Sequence, residues 1–231
     1  MRRHSKALGK SLPGQRRRDI WRRDAIGLRP ESEPWRREPA IRSRLPVAST
    51  AYAAAMSAPS RILIYVVYGA GKSTLAALLA ERLGVPWYPV DDLLWQPGWV
   101  EVPVAQQRSR IEEICRRDRW ILDGAYHGWR DVPLARADLV VGLDYPRWCS
   151  LWRLLRRTAR RLVTGEEICN GNRESLGSVL SRDSILVWHV TAFGRARRRM
   201  RAWQTDPSGP PVVLLRSPAA LDRWLAGLPG R

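Results

Sequence analysis

From Arg61 onward, short apolar runs alternate with stretches whose apolar residues recur at helical spacing, whereas residues 1 to 55 keep neither period. Five runs read as strands: Ile62 to Val67, Trp87 to Val90, Trp120 to Asp123, Leu139 to Asp144 and Val212 to Leu215. They are short and apolar at successive positions, as strands covered on both faces are. Ser73 to Leu83 sets Leu75, Leu78, Leu79 and Leu83 on one helical face, with Gly84 as a stop. Pro103 opens a second helix that runs to about Arg117, with Val104, Ile111 and Ile114 inward. Pro146 opens a third, in which Trp148, Leu151, Trp152, Leu155 and Leu162 form one stripe. Arg153, Arg156, Arg157, Arg160 and Arg161 fall on its opposite side, which is expected to be exposed. Strands alternating with helices predict an α/β fold built on a parallel sheet.

With 231 residues, 45% of them apolar, the chain supplies one sizeable core. The expected division is a basic extension over residues 1–58 and one globular domain over 59–231. The longest apolar run, around Ile62 to Tyr68, is far shorter than the ~20 residues that a membrane-spanning helix needs. Cys115, Cys149 and Cys169 form no close pair and have no neighbouring histidine, which speaks against a disulfide framework or a zinc site and for a reducing, cytoplasmic setting.

The formal net charge of +18 suggests an anionic partner until it is divided along the chain. The first 55 residues hold 14 basic and 5 acidic side chains, half of the whole excess. Two readings of that extension stay open. It is a basic arm for nucleic acid, or it precedes the true start, because Met56 stands just ahead of the first strand. The remainder is only moderately basic and contains a single lysine, Lys72.

That lysine lies in the most informative segment, the strand followed by Tyr68-Gly69-Ala70-Gly71-Lys72-Ser73-Thr74 and then a helix. Glycines let successive backbone N–H groups converge on phosphate oxygens, the helix N-terminus adds positive potential, a lysine meets the outer phosphates and a hydroxyl ligates Mg²⁺. Gly69, Ala70, Gly71, Lys72, Ser73 and Thr74 are therefore the expected nucleotide-binding residues. The full motif places glycine where this chain has Val66, and Tyr68 is bulky for its place. Either Val66 merely ends the strand, or it tightens the entry to the loop and weakens binding.

Carboxylates at strand ends are the second signal. Asp91 and Asp92 follow the second strand and Asp123 ends the third, where a doubly wound sheet forms its ligand crevice. Asp123 is the candidate for Mg²⁺ through its waters, beside Ser73, and Asp91 or Asp92 for orienting an acceptor hydroxyl. Arg153 and Arg157 are candidates to neutralise a transferring phosphoryl group, with Arg130 and Arg173 in loops as further arginines. Trp95, Trp99 and Trp129 either stack on an acceptor ring or pack in the core, and His127 and His189 suggest no catalytic pairing.

These residues resemble the nucleoside monophosphate kinase group of P-loop proteins, most closely the small adenylate-kinase-like proteins known as DNA topology modulation proteins. The likeness is carried by Gly69 to Thr74, Val90-Asp91-Asp92, Trp120 to Tyr126, Leu143 to Arg147 with the arginine-rich helix after it, and Cys169-Asn170-Gly171-Asn172-Arg173-Glu174. The resemblance implies a three-layer P-loop NTPase fold: a five-stranded parallel sheet of order 2-3-1-4-5, helices on both faces, and a small helical lid over Thr164 to Ser184. It implies ATP and Mg²⁺ as cofactors and phosphoryl transfer to a small acceptor such as a nucleotide. The competing expectations are an ATP-binding regulatory or degenerate protein without turnover, and a nucleic-acid-associated protein that uses its basic arm. No membrane partner is expected.

Overall fold

The computed structural model describes residues 59–66, 69–180 and 184–229. The basic extension, Met56, Val67 and Tyr68 lie outside the described residues. Five parallel strands form the central sheet: β1 (Arg61–Val66), β2 (Trp87–Tyr88), β5 (Trp120–Leu122), β6 (Leu139–Leu143) and β9 (Val212–Leu215). Their spatial order is β2-β5-β1-β6-β9, which counted along the chain is the expected 2-3-1-4-5. β1 is central, with Ile62 beside both Ile121 and Leu139, and Leu63 beside both Leu122 and Val140.

The two-residue period of β1 splits the core between the sheet faces. Ile62 and Ile64 pack with Leu75 and Leu79 of α1 (Lys72–Leu83), and α8 (Pro218–Ala226) covers the same face through Leu221 and Trp224. Leu63 and Tyr65 point the other way, among Ile111 and Ile114 of α3 (Val104–Cys115) and Phe193 and Met200 of α7 (Ile185–Thr205). Helices therefore cover both faces, which accounts for the burial of the central strands at Ile62 to Ile64, Trp120 to Leu122 and Leu139 to Leu143. α8 begins where Ser217 accepts the Ala220 N–H at 3.1 Å just before Pro218 at the first helical position. Neither α7 nor α8 is among the helices that the apolar pattern picks out.

Two departures bear on the site. The second strand stops at Tyr88 instead of Val90, because Pro89 has no N–H for the ladder, and Val90 already opens the short helix α2 (Val90–Leu94). The segment from Thr164 to Ser184, expected to be a helical lid, contains an antiparallel hairpin, β7 (Glu167–Ile168) with β8 (Asn172–Arg173), before the short helix α6 (Leu176–Leu180). A second hairpin, β3 (Trp95–Gln96) with β4 (Val100–Glu101), follows α2. Between β5 and β6 lies α4 (Asp131–Arg136). No helix among the described residues is long and apolar enough to cross a membrane.

The largest correction concerns α5 (Arg147–Thr164). Of its expected apolar stripe, Trp148 at 73%, Trp152 at 64% and Leu155 are exposed, while Leu151 and Leu162 are only half-buried. The buried residues are Ser150, Leu154 and Thr158, and Arg157 and Arg161 on that side are half-buried. The helix lies across the end of the phosphate loop, so its mixed polar face turns inward to meet that loop.

Candidate active site

Val66 is the last residue of β1 and is still paired with Leu143, so the position of the motif's first glycine belongs here to a strand. Gly69 and Gly71 then take left-handed φ values of +85° and +101°. A Cβ on Gly69 would stand 2.6 Å from the Ser150 carbonyl oxygen and 2.7 Å from the Leu154 Cβ, so both backbone shape and space demand glycine. Gly71 caps α1 and accepts the Leu75 N–H at 3.0 Å, while no side chain caps this end. The remaining N–H groups of the first turn are donors that an anion can satisfy.

Lys72 opens that turn, and its Nζ lies 3.0 Å from Oδ2 of Asp91 in α2. The other Asp91 oxygen accepts the Tyr126 hydroxyl at 2.9 Å. Burial works against both charges, but each offsets it for the other: Asp91 and Asp123 hold the Lys72 ammonium above its usual range, and Lys72 and Tyr126 hold the Asp91 carboxyl below the usual carboxylate range. Ser73 donates its hydroxyl to Asp123 Oδ2 at 2.8 Å, and Asp123 Oδ1 accepts the Val90 N–H at 2.8 Å. Asp123 is buried at the end of β5 and so joins the start of α1 to the start of α2. This parallel sheet delivers three segments to one point, as its carboxyl edge should.

The arginines divide. Arg153 donates to the Ala70 carbonyl at 3.2 Å and lies over the Tyr145 ring, which places it against the phosphate loop. Arg157 is pushed below the usual guanidinium range by burial and by Arg161, with Glu174 and Asp91 opposing, and its Nε has no partner among the described residues. Arg161 meets Glu174 at 3.3 Å, exposed Arg160 meets Glu166 at 2.7 Å, Arg173 meets Glu167 at 2.7 Å, and Arg156 is exposed. Arg130 is buried at the start of α4.

Lys72, Ser73, Asp91, Asp123, Arg153 and Arg157 are thus brought together, whereas Asp92 is exposed on α2 and Thr74 is exposed on α1. Partial loss of solvent on one side, then the Asp91 and Asp123 charges, raise the Asp92 carboxyl. Trp129 is fully buried with its Nε1–H on Gln107 Oε1 at 3.0 Å, so it is a core residue, and Trp95 is buried as well. Tyr126, which fixes the free oxygen of Asp91, was not singled out as a functional residue by the sequence pattern. Its place three residues past Asp123, in the loop after a strand end, is the signal that marks it.

The oxygen donors suit Mg²⁺, a hard cation that keeps several waters and takes few protein ligands beside phosphate oxygens. Ser73 Oγ and the Asp123 carboxylate, 2.8 Å apart, are the oxygen donors that would hold such an ion.

No family model matches the chain. It is 28% identical over 144 residues, 62% of its own length and 80% of the relative's, to the uncharacterised protein YqaC of Bacillus subtilis. It is 39% identical over 64 residues to a probable gluconokinase of Mus musculus, a match that spans 26% of this chain and 34% of that one. Among solved structures it overlaps a gluconokinase from Sinorhizobium meliloti with a TM-score of 0.45, 17% identity and coverage of 74% of this chain and 93% of that one. A shikimate kinase from Acinetobacter baumannii in complex with shikimate gives 0.43 and 19% over 77% and 92%.

Proposed function

We propose that the chain is an ATP-dependent P-loop phosphotransferase acting on a small hydroxylated acceptor. The observation that carries this reading is the convergence of Lys72 with Asp91 and of Ser73 with Asp123 at the N-terminus of α1, behind two left-handed glycines. Bound MgATP supplies the electrophilic phosphoryl group. The glycine-loop N–H groups and Lys72 would bind the outer phosphates, and Ser73 with Asp123 would hold the metal. As Lys72 turns from Asp91 to phosphate oxygens, the Asp91 carboxylate is released, kept in place by Tyr126, to accept a hydrogen bond from the acceptor hydroxyl and then its proton. Arg153 and Arg157 neutralise charge on the transferring group. Holding the acceptor oxygen in line is the larger task, because phosphoryl transfer asks mainly for positioning and charge stabilisation.

The relation to a probable gluconokinase makes sugar acids the first acceptors to try, ahead of nucleotides. The test is ATP titration by calorimetry followed by ADP release with a panel of sugar acids. Lys72→Ala is expected to lower turnover by at least ~100-fold. Undiminished turnover in that variant would refute the assignment. ATP binding without product from any acceptor would favour the regulatory alternative.

A further inference from the structure

The two hairpins lie far apart in sequence yet are joined through two asparagines. Asn172 is buried at 3% exposure, and its Oδ1 accepts the Trp99 backbone N–H at 2.7 Å while its Nδ2 donates to the Gln96 carbonyl at 3.0 Å and to the Cys169 carbonyl. Asn170 donates to the carbonyls of Asp92, at 2.8 Å, and Trp95, at 2.6 Å. The indole N–H of Trp99 completes the junction on the Arg173 carbonyl at 3.2 Å. Both turns adopt conformations few side chains accept, with φ of +57° at Trp99, +44° at Cys169 and +63° at Asn170. Only a primary amide offers an acceptor and two donors from one short side chain, so aspartate in either place would set a carboxylate against carbonyl oxygens.

What the junction connects gives it a meaning beyond packing. The β3–β4 hairpin follows directly on Asp91 and Asp92, the acceptor side of the site. The β7–β8 hairpin is held to α5 through Arg161–Glu174 at 3.3 Å and Arg160–Glu166 at 2.7 Å, one turn beyond Arg157. We propose that Asn170 and Asn172 are positioning residues that make these two hairpins one body, so that seating the acceptor and bringing the α5 arginines over the phosphate are a single event. The inference deepens the kinase reading and rests on it for its catalytic consequence, while the mechanical union of the hairpins stands on the geometry alone.

The test uses the full chain. In amide hydrogen exchange without ligand, the amides of 95–101 and 167–173 are expected to share one protection level, and Asn172→Ala is expected to speed exchange in both segments by at least ~10-fold. Faster exchange confined to 167–173 would overturn the proposal. In steady-state kinetics, Asn170→Ala and Asn172→Ala are each expected to raise the acceptor KM by ~10-fold while calorimetric ATP affinity stays within ~2-fold, since neither touches the phosphate loop. Asn172→Gln, which keeps all three polar functions, is expected to recover part of the loss. An unchanged acceptor KM alongside loosened hairpins would also overturn it. Trp99→Phe removes the indole bond, leaves the Asn172 amide network in place and, if Asn172→Ala fails to fold, is expected to speed exchange in both segments to a smaller degree; faster exchange in one segment alone would overturn the proposal. Absence of turnover in the unaltered chain would sink the kinase reading, and the exchange pattern would then decide the union of the hairpins by itself.

Discussion

Asp91, 3.0 Å away, and Asp123 together hold the half-buried Lys72 ammonium above its usual range, and Lys72 in turn helps hold the Asp91 carboxyl below the usual carboxylate range. A shielded charge that loses its partner is costly, so under the proposed kinase function the nucleotide phosphates would have to take the place of Asp91 as they arrive. The thiols are ordinary by comparison: burial pushes Cys115 and Cys169 up to about 12, which leaves both unreactive near neutral pH. His189 carries a testable titration. It is fully buried, its Nε2 lies 3.0 Å from Ser150 Oγ, and burial followed by the Arg147 charge pushes its pKa below the ordinary value. The folded chain therefore binds fewer protons here than the unfolded chain once the pH falls below about 6.5. Its contribution is complete above that value and is lost as the pH drops toward the depressed folded pKa. Urea midpoints measured from pH 7.5 to 5.5 should fall more steeply for the unaltered chain than for His189→Gln; parallel curves would contradict the argument.

At the scale of the element, α5 shows how an amphipathic pattern can be read with the wrong face inward. A stripe of Trp148, Trp152 and Leu155 ordinarily seeks the core, yet here Leu154 alone among its large apolar residues is fully buried. The cause is position. Gly69 and Ala70 must approach the helix backbone closely at Ser150 and Leu154, and Arg153 must reach the Ala70 carbonyl, so the polar side is drawn in. Leu154→Ala is accordingly expected to cost about 2–5 kcal/mol, the range for truncating a buried leucine. Trp152→Ser, despite removing a far larger side chain, should shift stability by no more than about 0.5 kcal/mol, as an exposed substitution does. Denaturant unfolding of the two variants ranks them, and the reverse order would show that α5 is turned the other way.

For the molecule as a whole, the central sheet and both apolar clusters among the described residues form one folded unit around the candidate site. The long helix α7 is tied back to the sheet by buried Asp144, which binds Arg197 at 2.6 Å and Arg201 at 2.9 Å. If the basic extension stands apart from the domain, a chain beginning at Met56 is expected to unfold within about 2 °C of the full chain, a shift equivalent to about 0.5–1 kcal/mol. A larger fall would make residues 1–55 part of the folded unit. The sequence by itself determined the phosphate loop, the helix that follows it and the places of the five strands, because glycine conformation, short apolar runs and helix stop signals act between near neighbours, while the order of the sheet was legible only through the family resemblance. It also marked Lys72, Asp91 and Asp123, since loop chemistry and strand ends are local features. Only the tertiary structure decided which face of α5 is buried, that the lid carries a hairpin, that Tyr126 holds Asp91, and that Asn170 and Asn172 bind a loop some 75 residues earlier. Those outcomes depend on contacts between distant segments, where the geometry of neighbouring elements outweighs the preference of any one stretch of chain.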